Sequence, residues 1–243
     1  MPIRRPRPLA ALARFALAVA AFWPLLSPAA DVIVFGGTGK LGSEIVRALG
    51  AAGHDVTVFH RAGSDLSRLQ GLQYRNAIGD ATQAAEVRAA LEARRYDVAV
   101  DALAKGRSEP AEFYRITHQA IVEAARATGV KQVILHGSVG AGESRAIYPA
   151  SRWPAMQEVL LAKDAGERLL IASGVPYTII RNAVLRDDAP GVRERAALTA
   201  DQARFGAVTR SGLGRLTTEC ILQETCLNRI FHAIDPQVPI PVR

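Results

Sequence analysis

The run Asp31 to Arg61, DVIVFGGTGKLGSEIVRALGAAGHDVTVFHR, reads as strand, glycine-rich turn, helix and second strand without interruption. Gly36, Gly39 and Gly42 follow the apolar stretch Val32 to Phe35 in G-x-x-G-x-x-G spacing, the context in which such glycines bind a dinucleotide. Gly36 lets the chain turn sharply off the strand. Gly39 lets backbone N–H groups approach a pyrophosphate, and Gly42 lets the helix pack closely on the sheet. With Thr38, Lys40 and Leu41 these residues form the predicted phosphate site, because free N–H groups and the partial positive charge of a helix N-terminus suit an anion.

The end of the second strand distinguishes the nucleotides. A carboxylate there holds a ribose 2′-hydroxyl, whereas a basic side chain accommodates a 2′-phosphate. Here Val56 to Phe59 runs into His60, Arg61 and then Ser64, with no carboxylate at the strand tip. This predicts NADP(H) rather than NAD(H), with Arg61 as the planar phosphate partner and Ser64 beside it. The alternative is an arginine solvated in a surface loop.

Outward from this unit the alternation continues. Strands are predicted over Leu72 to Ile78, Asp97 to Leu103, Gln132 to Leu135 and Tyr177 to Ile180, with helices over Leu41 to Ala52, Ala84 to Arg94, Pro110 to Thr128 and Met156 to Ala172. Gly129 and Gly174 mark helix ends. Strands separated by helix-length segments imply an α/β protein, a mainly parallel sheet with helices on both faces. After Arg181 the periodicity weakens, returning in a helix near Leu213 to Gln223 and a short run Ile230 to Ile234. The irregular stretch around 183–212 is predicted to be a small substrate lid on a domain spanning residues 31–243.

The chain has 243 residues, 49% of them hydrophobic, enough for one substantial core. Its net charge of +7 owes four charges to Arg4, Arg5, Arg7 and Arg14, leaving +3 elsewhere with no basic run interleaved with aromatics. This argues against nucleic-acid binding. Residues 1–30 combine a basic start, the apolar stretch Phe15 to Leu26 and the small residues Ser27-Pro28-Ala29-Ala30, which predicts a secretory signal or N-terminal anchor outside the fold. Export to the periplasmic side, or a membrane contact through this segment alone, follows from that reading; a start codon nearer the first strand would make the protein cytoplasmic. Arg4-Arg5 resembles part of a twin-arginine signal, with Pro6, Arg7 and Pro8 departing from it. Cys220 and Cys226, six apart on one continuous helix, would lie about 9 Å apart along its axis. Two buried free thiols are therefore expected, unless the helix ends between them. Five scattered histidines and two cysteines give no metal-ligand spacing, and Gly137-Ser138 lacks a G-x-S-x-G nucleophile elbow.

Five motifs in order, GGTGKLG at Gly36 to Gly42, Gly79-Asp80 ahead of a helix, Gly137-Ser138-Val139-Gly140-Ala141, Lys163-x-x-x-Glu167 and SGVPYTIIRN from Ser173 to Asn182, resemble an atypical short-chain dehydrogenase/reductase. The NmrA-like and flavin-reductase-like NAD(P)H-binding groups are the nearest, over Asp31 to about Cys226. The resemblance implies a seven-stranded Rossmann-type sheet, an NADP site on its first half, Asp80 near the adenine, and Ala102 to Ala104 flanking the cofactor. It also exposes a departure: four residues before Lys163 stands Val159, where the family's Tyr-x-x-x-Lys pair would place its proton-donating tyrosine. Lys163 keeps a place against ribose hydroxyls, and Ser138, Tyr148 and His136 are the substitutes, His136 being read chiefly as a core group. Two functions follow, an NADPH-dependent reductase of a small flavin, quinone, carbonyl or enone acceptor, or a non-catalytic NADP-binding regulator; sugar-nucleotide epimerase or dehydratase action ranks last.

Overall fold

A computed structural model describes residues 29–106, 108–110, 112–187 and 195–240. The leading segment therefore lies outside the described residues, apart from Ala29 and Ala30. Ala30 belongs to the fold rather than to that segment: it is buried in the core, and its N–H donates to His54 Nδ1 at 3.1 Å.

The first unit folds as its periodicity demands, with β1 (Asp31–Phe35), α1 (Lys40–Ala51) and β2 (Asp55–His60). Gly36 has φ +79°, and a Cβ there would stand 2.8 Å from Ala102 O, so the sharp turn excludes other residues. A Cβ on Gly42 would come within 2.1 Å of Gly36 O, which is why α1 can start directly against the turn. β3 (Arg75–Ile78), α2 (Ala84–Glu92), β4 (Val98–Asp101), α3 (Phe113–Thr128), β5 (Gln132–Ser138), α4 (Trp153–Ala172) and β6 (Tyr177–Asn182) continue the alternation. They are followed by β7 (Val184–Arg186), β8 (Ala197–Thr199), β9 (Ala207–Thr209), α5 (Arg210–Glu219) and β10 (Arg229–Ile234).

Among the described residues the main sheet has eight strands in the order β3-β2-β1-β4-β5-β6-β10-β8, one more than the family resemblance implies. All its pairs are parallel except β8 with β10. The additional strand β8 comes from the stretch expected to be an irregular lid, as do β7 and β9, which form a separate parallel pair. Residues 188–194 of that stretch lie outside the description.

Alternation along β1 sends Val32 and Val34 to one face and Ile33 and Phe35 to the other, and each pair joins a separate apolar cluster. α1 and α5 cover the first face through Ile45, Val46, Leu49, Leu213 and Leu216; α2, α3 and α4 cover the second through Val87, Leu91, Ile121 and Leu170. A sheet buried on both faces needs the near-continuous apolar strands seen here. The protein is thus a doubly wound, Rossmann-type α/β domain, and no described helix is long and apolar enough to cross a membrane.

The cysteines correct the sequence reading. α5 ends at Glu219, not near Gln223, so Cys220 and Cys226 do not share a helix; they form a disulfide with Cα atoms 5.5 Å apart. The turn that follows is fastened to the sheet by buried Gln132, whose amide donates to Cys220 O at 3.0 Å and to Thr178 Oγ1 at 2.9 Å. Gln132 Oε1 accepts from Leu222 N–H at 2.7 Å, and Thr178 Oγ1 donates to Cys226 O at 2.8 Å.

Candidate functional site

Strand order reverses between β1 and β4, and the chain leaves their carboxyl ends in opposite directions. A crevice opens at such a point. A cleft of about 480 Å³ runs there, from Arg61, Ser64, Gly79 and Asp80 past the glycine turn to Tyr114, His136, Lys163 and Asn182.

Its middle is built by Gly36, Thr38, Gly39, Lys40 and Leu41. Gly39 caps α1 with no side-chain hydrogen bond, so the first N–H groups of that helix are left to a ligand. This uncapped N-terminus and the absence of a Cβ at Gly36 and Gly39 fit a dinucleotide pyrophosphate. Gly42 is not on the wall; it acts from behind, through the close packing of α1. Lys40 reaches across the opening to Asp187, Nζ to Oδ2 at 3.2 Å.

At one end, Asp80 lines the cleft and accepts from the N–H and hydroxyl of Thr82, each at 2.8 Å, which fixes the turn into α2. Arg61 lines it as well, but its Nη1 donates to Glu109 Oε1 at 2.9 Å. The carboxylate missing from the tip of β2 is supplied by the loop beyond β4. Ala102 and Ala104 form the floor beside it.

At the other end stands Lys163, half-buried on α4, with Nζ donating to His136 O at 3.1 Å and lying 4.6 Å from the ring centroid of Tyr114. Burial pulls its pKa below the usual lysine value, while Asp101 and Glu167 oppose that shift. Tyr114 was missed by sequence reasoning because it belongs to α3, far from any Tyr-x-x-x-Lys spacing. Its hydroxyl oxygen accepts from Lys105 N–H at 3.0 Å, and burial raises its pKa, keeping it a phenol. Lys163 faces the ring rather than the hydroxyl, a cation–π contact and not the family's tyrosine–lysine pair.

The three substitute groups fare differently. Ser138 lies within β5, which runs three residues further than expected, and its hydroxyl donates to Val139 O at 3.2 Å and Asn182 O at 3.4 Å; it is not on the cleft wall. Tyr148 packs edge-on against Trp153, 6.4 Å between centroids, also away from the wall. His136 does reach the wall, but it is buried and neutral. Thr217 Oγ1 gives its one proton to Leu213 O at 2.6 Å, so His136 Nε2 must donate to Thr217 across 3.1 Å. Burial, with the Lys163 charge nearby, lowers the His136 pKa to about 3, which rules out a resting acid.

Beneath Lys163 lies a second layer that the sequence did not reveal. Glu167, one turn along α4, holds Arg181 through bonds from Nε at 3.0 Å and Nη2 at 2.7 Å, both partners buried. A Cβ on Gly137 would stand 2.2 Å from Glu167 Oε1, so the Gly137-Ser138 motif serves this pair rather than the cleft. His118 Nε2 lies 3.5 Å from Asp101 Oδ2, and burial lowers its pKa. No group of three or more His, Cys, Asp or Glu among the described residues could hold a metal ion.

The profile of an NAD(P)H-binding family matches residues 36–224, and the chain belongs to that family. Among curated proteins it is similar to sanguinarine reductase of Eschscholzia californica, 29% identical over 113 residues that cover 45% of this chain and 40% of the relative. The chain spans well under half the length of the curated relatives it matches. Among solved structures it resembles ChuY, an anaerobillin reductase of Escherichia coli, with TM-score 0.75, 22% identity and coverage of 87% of this chain and 100% of that one. It also resembles a short-chain dehydrogenase/reductase of Veillonella parvula in complex with NADP, with TM-score 0.68, 15% identity and coverage of 85% and 95%. The chain is thus an NAD(P)H-binding protein, and its likeness to these solved reductases is one of fold.

Proposed function

We propose that the protein is an NADPH-dependent reductase of a small acceptor of flavin, quinone, carbonyl or enone type. One observation carries this reading: the cleft does not end at the phosphate site but continues to a desolvated lysine and a phenol, where the nicotinamide end of the cofactor would lie. A nicotinamide held at that end would supply the hydride, and the acceptor would take its proton from water. Arg61 and Ser64 receive the 2′-phosphate, the α1 N-terminus receives the pyrophosphate, and Lys163 donates to the nicotinamide ribose. Neither Ser138 nor Tyr148 takes part. Similarity to a reductase of a small organic molecule supports the acceptor class.

A second reading, a non-catalytic NADP-binding regulator, draws on Val159 at the place of the proton donor. Steady NADPH consumption with flavin or quinone acceptors, lost in Lys163→Met, separates the two; tight NADPH binding without turnover of any acceptor would establish the regulator.

The protein is further proposed to work on the periplasmic side. The Cys220–Cys226 disulfide supports this, since such bonds persist in oxidising compartments and are rare in the cytosol. Thiol labelling of the protein taken from intact cells tests it: two reactive thiols after denaturation would place it in the reducing cytoplasm.

A further inference from the structure

Arg61 follows β2 and Glu109 lies on the loop after β4, yet both line the cleft and meet at 2.9 Å. The arginine side chain is 61% exposed and the glutamate 13%. An ion pair with one solvated partner contributes little and opens readily. The glutamate, mostly enclosed, stays in the wall when the arginine turns away. A 2′-phosphate entering here must take the guanidinium from Glu109 and then sit beside the carboxylate it displaced. A 2′-hydroxyl meets no such competition, because it can donate to that carboxylate while the pair stays closed.

We propose that Glu109 sets the cofactor discrimination of this site: it holds Arg61 as an internal stand-in for the 2′-phosphate, and so narrows the preference for NADPH over NADH. The inference rests on Arg61 being the phosphate partner. Glu109 acts on selection alone; it lies at the adenosine end, away from Lys163 and the reacting atoms.

Calorimetric titration of the full-length protein with NADPH and with NADH tests this at fixed ionic strength, using the wild type, Glu109→Gln, Arg61→Ala and the double variant. Glu109→Gln is expected to tighten NADPH by about fivefold, the equivalent of one exposed ion pair, and to leave NADH unchanged or weaker. Arg61→Ala is expected to weaken NADPH by about tenfold with little effect on NADH. The gain from Glu109→Gln should vanish in the Arg61→Ala background, and NADH binding by each variant confirms that it is folded. An unchanged NADPH to NADH ratio in Glu109→Gln, alongside a weakened Arg61→Ala, overturns the inference alone. Unchanged NADPH affinity in Arg61→Ala overturns the assignment of Arg61 and this inference with it. Full persistence of the gain without Arg61 overturns the stand-in.

Discussion

Where the strands of the main sheet begin, Gln132, Thr178 and the disulfide turn satisfy one another through four hydrogen bonds, and no titrating side chain takes part in them. Where the strands end, the polar groups are incompletely matched. His136 Nδ1, His118 Nδ1 and Glu167 Oε1 are buried with no hydrogen-bond partner, and Lys163 is a desolvated cation. The same sheet thus carries an edge that stabilises and an edge kept available for a ligand. Of these groups His136 and Lys163 line the cleft and the other two lie behind it; unpartnered buried groups weaken a fold, and the bonded amino-terminal edge offsets part of that loss.

Acid should separate the edges most strongly. His136 is neutral in the fold with a pKa of about 3, whereas in the unfolded chain it takes a proton below about 6.5. The unfolded state then binds more protons, so stability falls as pH falls from about 6.5 towards 3, by roughly 4 kcal/mol from this group, and His118 adds to it with the same sign. His136→Gln keeps a donor for Thr217 and should flatten the slope in urea unfolding measured across that range. A slope that survives both this change and His118→Gln would show that the acid sensitivity does not reside at the cleft.

Gln132→Leu should come next, with about 3 kcal/mol of unfolding free energy lost because several buried partners are orphaned together, and NADPH affinity unchanged. Loss of NADPH binding at constant stability would invert the comparison. Reducing the disulfide, or replacing Cys220 and Cys226 by Ser, should cost about 2 kcal/mol for so short a loop, seen as a fall in Tm of about 5 °C. Lys163→Met is expected to weaken NADPH by about tenfold while leaving unfolding free energy equal or higher, since removal of a desolvated charge relieves the fold. A large stability loss there would make Lys163 structural and bring the two edges together.

The strand–turn–helix–strand unit, the alternation after it and the positions of Asp80, Ala102, Ala104 and Lys163 on the cleft were legible in the sequence. The unit and the alternation rest on periodicity and a local motif, the four residue positions on the family resemblance. Ser138 was misjudged because β5 extends through it, and pairing with Asn182, forty-four residues away, turns its hydroxyl to the backbone. The disulfide was misjudged because the end of α5 at Glu219 carries no glycine or proline to announce it.

The sequence by itself determined that this chain forms a dinucleotide-binding α/β sheet, because glycine spacing and hydrophobic period are local and the backbone has few ways to satisfy them. Only the tertiary structure decided which polar groups meet: Glu109 with Arg61, Tyr114 with Lys163, Glu167 with Arg181, Gln132 with the disulfide turn. These partners come from different elements brought together by the strand order, and no spacing along the chain records the distance at which a folded sheet places them.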